Sequence, residues 1–492
     1  MGEEEATDDT VVRRDRFSGG PARGFLSSLD ADRRIFEADL AVDRAHVVML
    51  AERGIVGDDV AGEILATLDD VEAAGHGALP DGEDVHEAIE SAVVSEVGPE
   101  GGRMHTARSR NDEVATCIRY RLRDDLLRSV ETALALRESL VESAADHTET
   151  LLPGYTHLQP AQPTTVAHWL LSYEAAVTRD AERLFDAYAR VNRSPLGGAA
   201  FAGTPFDIDR DRTAELLGFD GVVRNSMDAS SGRDVLVEAV SALATHAVTL
   251  SGLAEDLILY ANRGFVSLSD DYSSTSSIMP QKVNPDTMEL VRATAGDAVG
   301  DLTGLLTTLK GLPRAYNRDL QRATPHAWDA VDDVTAASEV AAGAVATATW
   351  HAEATTPAAG EGFSTATGVA DALAMAGLPF RTAHEVVAAA APEVEPEDDV
   401  ATVTARVDAA AEAVLGESLW EYVTRDAVTR VLDPAESVAS RDSAGGPAPD
   451  AVASEVKAAR ESLAADRETL AGRREALAAA AEALDAEVAS YV

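Results

Sequence analysis

Apolar residues recur every three or four positions along most of the chain, and strand-like alternation is scarce. From Asn111 onward Val114, Ile118, Leu122, Leu126, Val130, Ala133, Leu136 and Leu140 stripe one face of a helix of about nine turns, longer than an ordinary globular domain uses. Similar patterns run through about 160 to 192, 229 to 261, 285 to 311 and 327 to 355, separated by Gly/Pro segments such as SPLGGAAFAGTPFD and KGLPRAYNRD. Stripes this long and wide have to be buried against one another. The pattern predicts an all-α subunit with an extended central bundle, completed by further copies of the chain where neighbouring helices leave apolar faces uncovered.

The bundle pattern occupies residues 111–358. Before it, residues 1–110 form a smaller helical domain containing EDVHEAIE; after it, residues 359–492 carry shorter helical patterns and the acidic loop PEVEPEDD, and form a small carboxy-terminal domain. Within the latter Val456, Leu463, Leu470, Leu477 and Leu484 keep seven-residue spacing, but Asp466 and Arg473 interrupt the companion positions, so a packing helix is expected rather than a two-stranded coiled coil.

Composition narrows the class. With 492 residues, 46% hydrophobic and 26% charged, the chain is long enough for two or three domains and apolar enough to be globular. Its formal net charge of -44 is spread along the whole length, which argues against nucleic-acid binding and fits a protein kept soluble in high salt, hence a halophilic cytoplasm. The single Cys117 cannot form an intrachain disulfide, no uninterrupted apolar run reaches membrane-span length, and the opening MGEEEATDD is acidic where a signal peptide is basic. A cytoplasmic protein without a membrane partner is expected.

Only three lysines, Lys282, Lys310 and Lys457, stand among 41 basic residues. An ammonium is a compact point donor and a guanidinium a planar fork, so a retained lysine is either a surface remnant or part of a site that refuses the exchange. Lys282 lies in TSSIMPQKVNPD (275–286), where Pro280 and Pro285 forbid a continuous helix and a mobile loop is expected. Ser276 or Ser277 there could act as a base if Lys282, Asn284 and backbone N–H groups favour the alkoxide, with Glu289 a turn further on facing inward to orient a histidine. HTARSRND (105–112) places Arg108, Ser109, Arg110 and Asn111 at a helix start, which suits either an anion receptor or a plain capping loop. In GYTHLQPAQP (154–163) Pro160 and Pro163 stiffen a turn bearing Thr156, His157 and Gln159, and His157 is either structural or catalytic. HExxH, CxxC, GxxxxGK[ST] and GxSxG signatures are absent from the sequence.

TSSIMPQKVNPD resembles the serine-loop signature of the fumarase and aspartase superfamily. The segments HTARSRND, GYTHLQPAQP, NSMDASSGRD, FVSLSDDYS, YNRDLQ and SVASRDSAGGPAP, in that order, resemble the argininosuccinate lyase family from about Phe25 to Val452. The resemblance implies a homotetramer whose active sites each draw on three subunits, a reaction without cofactor or metal, and β-elimination of argininosuccinate to arginine and fumarate through an aci-carboxylate carbanion. It makes Ser276 the base, Lys282 and Asn284 the donors to the carbanion, and His157, paired with Glu289, a member of the acid side. Ser28, Asp32, His86, Ser109, Arg110, Asn111, Thr156, Tyr316 and Gln321 match substrate-binding positions, and Arg233 supports the loop. Thr275, Glu113 and Val283 depart from the usual glycine, glutamine and lysine, and Thr324 replaces a carboxylate-binding lysine, a task that Arg322 is expected to take over. A sister lyase acting on adenylosuccinate, fumarate or aspartate, or an inactive structural relative of the lens-crystallin kind, are the alternatives.

Overall fold

The computed structural model describes residues 21–395 and 398–492. The acidic opening MGEEEATDD and two residues of the acidic loop, 396 and 397, lie outside them. The fold is all-α, 72% helical. Five long helices form the bundle: α4 (Arg110–Asp146), α5 (Val166–Val191), α6 (Asp234–Asn262), α7 (Asp286–Leu309) and α8 (Thr324–Thr347), preceded by α1 (Phe36–Glu52), α2 (Asp58–Ala74) and α3 (Val85–Val97) of the amino-terminal domain. These match the striped segments closely, because a stripe of fully buried leucines such as Leu122, Leu126, Leu136 and Leu140 gains about 1.5–3 kcal/mol per side chain when the helices pack. Buried polar pairs fix their register: His246 of α6 lies 3.3 Å from Asp180 of α5 and 3.1 Å from Ser338 of α8. Helix α6 is long and apolar enough to cross a membrane, but 56% of its most apolar stretch is buried inside the molecule, as befits a central bundle helix.

The expected unit 359–492 is divided. A small core made by Val369, Leu373, Val386, Val407, Leu419 and Val428 belongs to the short helices between 366 and 432. The last helix, α9 (Pro449–Ala489), leaves that core, places Val452, Val456, Leu463 and Leu470 in the bundle and Leu484 and Val488 against the amino-terminal domain. Its two seam-breaking residues are paired: Asp466 with the fully buried Arg137, which also donates to Glu174 at 2.9 Å, and Arg473 with Asp220 at 3.4 Å. Arg460, Arg467 and Arg474 meet Glu142, Glu138 and Glu131 of α4 along the exposed edge of the same contact.

Two hairpins complete the bundle's far end. β1 (Leu151–Thr156) and β2 (Gln159–Thr165) are antiparallel, as are the two-residue strands β3 (Ser274–Thr275) and β4 (Val283–Asn284). Helix α7 keeps little of its surface covered, with Leu290 72% exposed and Val299 and Leu306 about half exposed. Ala293, Gly296 and Gly300 share that open face, where a second helix could approach closely.

Candidate active site

Helix α4 begins where Ser109 caps it. The Ser109 hydroxyl accepts from the Asn111 N–H at 3.3 Å, and the Asp112 carboxylate accepts from the Ser109 N–H at 2.9 Å, a reciprocal cap. The other Asp112 oxygen accepts from the N–H groups of Gly197 and Ala199, both at 2.8 Å, so the glycine-rich SPLGGAAFAG segment is a strap across this helix start. Gly197, at φ +82°, leaves no room for a Cβ against Arg210. Ser109 is thus engaged in capping and is not part of the cavity wall described next.

Beside the cap lies a cavity of about 260 Å³. It gathers Ser28, Asp32, His86, Arg110, Asn111, Arg233, Tyr316, Gln321 and Arg322, nine of the sixteen residues expected at the site, from five separate stretches of chain. Glu83, Asp84, Arg318, Thr324 and Trp328 also line it and were not expected as binding residues. Glu83 and Asp84 sit in EDVHEAIE and Arg318 in YNRDLQ, so proximity to His86, Tyr316 and Gln321 was the available signal. Within the wall Arg318 pairs with Glu83 at 2.6 Å, Arg110 lies 3.4 Å from Asp84, and the Ser28 hydroxyl donates to Asp32 at 2.7 Å. Burial raises the Asp32 carboxyl above the usual range against the lowering effect of His86.

Under the wall is a buried charge cluster. His86 Nδ1 lies 2.8 Å from Asp39 Oδ1 and 3.8 Å from Glu113, while its Nε2 has no protein partner among the described residues. Burial pulls its pKa down, but Asp39 and Glu113 more than reverse this and hold it up at about 10, so His86 is a fixed imidazolium. Arg108, expected as a free donor at the anion receptor, is instead buried and paired with Asp43 and, at 3.1 Å, with Glu113. Asp39, His86 and Cys117, and likewise Asp39, Asp43 and Glu113, bring ligand atoms within 4.8 Å of one another. Arg108 and His86 already supply the positive charge that a metal ion would bring to them.

The other expected residues stand elsewhere. Thr156 and Gln159 close the β1–β2 turn, and His157 and Leu158 between them both adopt left-handed backbone, φ 55° and 58°. Neither is glycine, so the turn holds strain that places the imidazole at an exposed tip. In the second hairpin the Ser276 N–H donates to the Lys282 carbonyl at 3.0 Å, and the Ser276 hydroxyl oxygen accepts from Met279 N–H at 3.1 Å and Ile278 N–H at 3.4 Å. The Lys282 ammonium donates to Asn284 Oδ1 on the same strand end. Ile278, 83% exposed, and Val283 leave the hairpin with an uncovered apolar surface. Glu289, expected to face inward, is exposed on α7, and no contact joins it to His157 within the chain.

One chain cannot unite these groups. Helix α7 has the serine hairpin at its start and leads to Tyr316 and Gln321 beyond its end, about 36 Å away at 1.5 Å per residue over 24 residues. Helix α4 likewise separates Arg110 and Asn111 from the His157 hairpin by about 55 Å over 37 residues. Arg233, at the start of α6, is at the opposite end of that helix from its own chain's serine hairpin.

A lyase family model matches residues 27–300, and a model of the argininosuccinate lyase carboxy-terminal domain matches residues 363–439. The chain is 69% identical to the argininosuccinate lyase of Haloarcula marismortui, over 93% of this chain and 91% of that protein. It is 68% identical to that of Halobacterium salinarum, over 98% and 99%, and 48% identical to that of Methanosarcina acetivorans, over 89% and 90%. Among solved structures an EDDS lyase in complex with formate superposes with TM-score 0.87 at 35% identity, covering 96% of each chain. Full-length identity at this level, together with both domain matches, makes the chain a member of the argininosuccinate lyase family.

Proposed function

We propose that the chain cleaves argininosuccinate to arginine and fumarate at a site made of the cavity of one subunit and the hairpins of others, in a homotetramer. The observation that carries this is the separation just described: an anion-binding cavity at one end of the bundle and a serine, ammonium and amide hairpin, exposed and apolar-tipped, at the other. Ser276 removes the Cβ proton. Its oxygen already accepts two backbone N–H bonds and stands on the same hairpin as Lys282, conditions that favour the alkoxide. Lys282 and Asn284 hold the carboxylate into which the carbanion charge spreads. The Cβ–H electron pair forms the double bond as the C–N bond breaks, and the departing guanidino nitrogen takes a proton from the acid side, to which His157 contributes with Glu289. Thr156, from its strained hairpin, and Ser28, Asp32, His86, Arg110, Asn111, Tyr316 and Gln321 from the cavity bind the substrate. Ser109 contributes through the helix cap that orients Arg110 and Asn111, and Arg322 stands at the cavity rim.

A net charge of -44 and relatives from halophilic archaea support a cytoplasmic enzyme working in high salt. Release of fumarate from argininosuccinate in molar potassium chloride tests the reading, with adenylosuccinate and aspartate as controls. Wild type is expected to turn over argininosuccinate alone, and Ser276→Ala to lose roughly a hundredfold or more of that rate. Turnover of another substrate in preference, or an unimpaired Ser276→Ala enzyme, overturns it.

A further inference from the structure

Four guanidinium groups line the cavity, those of Arg110, Arg233, Arg318 and Arg322. Arg318 is paired with Glu83, and Arg110 faces Asp84 and Glu87. Arg322 has no acidic partner among the described residues, but it is exposed, and water solvates it. Arg233 is different. Only 4% of it is exposed, its sole hydrogen bond among the described residues is from Nη1 to the carbonyl of the adjacent Gly232 at 3.1 Å, and its Nε is buried with no partner among them. No carboxylate lies within ion-pairing distance of it among the described residues. The largest charge effect on it comes from another buried guanidinium, Arg119, which donates to the Arg190 and Val191 carbonyls. Burial and that like charge pull its pKa down to about 10, still leaving it charged at neutral pH.

An uncompensated buried cation is costly unless an anion arrives to pair with it. Arg233 forms wall in the main cavity and also in an adjoining open cavity bounded by Asp228, Leu312 and Asn317, so it stands between two spaces with its donors unspent. Tyr316 stands with it on the main cavity wall, and burial keeps the phenol protonated, with a hydroxyl to donate. The wall position nearby at 324 is a neutral threonine. Argininosuccinate carries three carboxylates, two on the succinyl part and one on the amino-acid end of the arginine part. In the proposed reaction the Lys282 hairpin of another subunit takes the reacting succinyl end.

We propose that Arg233, with the Tyr316 hydroxyl, is the principal anchor for the α-carboxylate of the arginine half of the substrate, ahead of Arg322 at the rim. The inference rests on the argininosuccinate reading. It makes Arg233 a specificity-determining residue for the leaving group, and it accounts for a buried guanidinium left open in a protein that pairs most of its other buried charges.

The test uses the full-length oligomer in molar salt and compares wild type with Arg233→Met, Arg233→Lys, Arg322→Ala and Arg233→Met/Thr324→Lys. Inhibition constants are measured for arginine, for agmatine, which lacks the α-carboxylate, and for fumarate. A charge-assisted bidentate contact of about 1.5–3 kcal/mol corresponds to roughly a 10- to 150-fold change. Arg233→Met is expected to raise the arginine constant and the KM for argininosuccinate by at least roughly tenfold, with agmatine and fumarate within about twofold of wild type. Arg233→Lys should lie between, Arg322→Ala should weaken arginine less than Arg233→Met does, and the added lysine should restore part of the arginine affinity. Equal weakening of arginine and agmatine, weakening of fumarate instead, or a lost kcat with unchanged KM in both Arg233 variants overturns the assignment. Should Arg233→Met not assemble, the Arg233→Lys arginine-to-agmatine ratio decides in the same way. Failure of wild type to release fumarate is a separate result and strikes the functional reading rather than this one.

Discussion

Replacing Asp39 by asparagine removes the charge that keeps His86 protonated while changing the shape of the site little. Asp39 is fully buried, its Oδ1 is 2.8 Å from His86 Nδ1 and also accepts from the Cys117 thiol at 3.3 Å. Breaking a buried ion pair from one side costs about 3–5 kcal/mol, and an imidazolium avoids most of that cost by losing its proton. At 1.36 kcal/mol per pKa unit this is a shift of about two to four units, moving His86 from about 10 to roughly 6–8. Glu113 at 3.8 Å and the more distant Asp84 remain on the raising side, and burial works against them. The wild-type KM for argininosuccinate should therefore be insensitive to His86 between pH 6 and 9, whereas in Asp39→Asn it should climb through that range as a cation is lost from the cavity wall. Steady-state fumarate release across pH at fixed salt reads this out. Superimposable KM profiles for the two proteins would refute the argument, because either the wall charge is not set by Asp39 or the substrate does not use it.

Two further outcomes follow from buried groups outside the cavity. Arg137→Met leaves Glu174 and Asp466 facing a space without a cation, and should lower the unfolding free energy by about 3–5 kcal/mol, with Glu174→Gln in the same chain recovering part; denaturant midpoints check it. His46 is buried with Nε2 2.8 Å from the Thr106 carbonyl, and burial with Arg108 beside it pushes its pKa down to about 3. Because the folded value lies below the usual 6.5, the stability that neutral His46 contributes is present above pH 6.5 and is lost as pH falls toward 3. His46→Gln, which can still donate to Thr106, should make the acid limb of the stability curve shallower by up to about 1.4 kcal/mol per pH unit, and an unchanged limb would contradict the assignment.

Much of the bundle was legible because burial along a helix writes its period into the sequence over many turns. The stripes from Asn111 and over 285 to 311 fall within a few residues of α4 and α7, those over 160 to 192 and 229 to 261 begin six and five residues ahead of α5 and α6, and that over 327 to 355 runs eight residues past α8; Pro160 and Pro163 hide the β1–β2 pairing and suggest only a stiffened turn. The destination of α9 was not legible: Asp466 and Arg473 look like interruptions until Arg137 and Asp220 are seen opposite them. At the site, local chemistry carried far. Ser276, Lys282 and Asn284 share a hairpin as the spacing implied, and Arg110, Asn111, Tyr316 and Gln321 meet in one cavity. Asp39 gave no signal, because a single acid in an apolar helix acquires meaning only from His86 across the fold. Glu289 is exposed on α7 in the single chain, and a sequence does not say which chain covers that face. Four of the six non-glycine residues with positive φ among the described residues, Ala107, His157, Leu158 and Ala315, fall in or beside the recognised segments, strain that no pattern of residue types revealed.

The central claim is that a cavity in one chain is completed by the serine hairpin of another. Ser276→Ala and Gln321→Ala, each nearly inactive alone, are to be dissociated, mixed in equal amounts and reassociated in high salt, and fumarate release measured. If each site takes its cavity and its hairpin from different chains, about one site in four recovers both intact, and roughly a quarter of wild-type activity should return. Mixed oligomers that form but stay as inactive as their parents would contradict it.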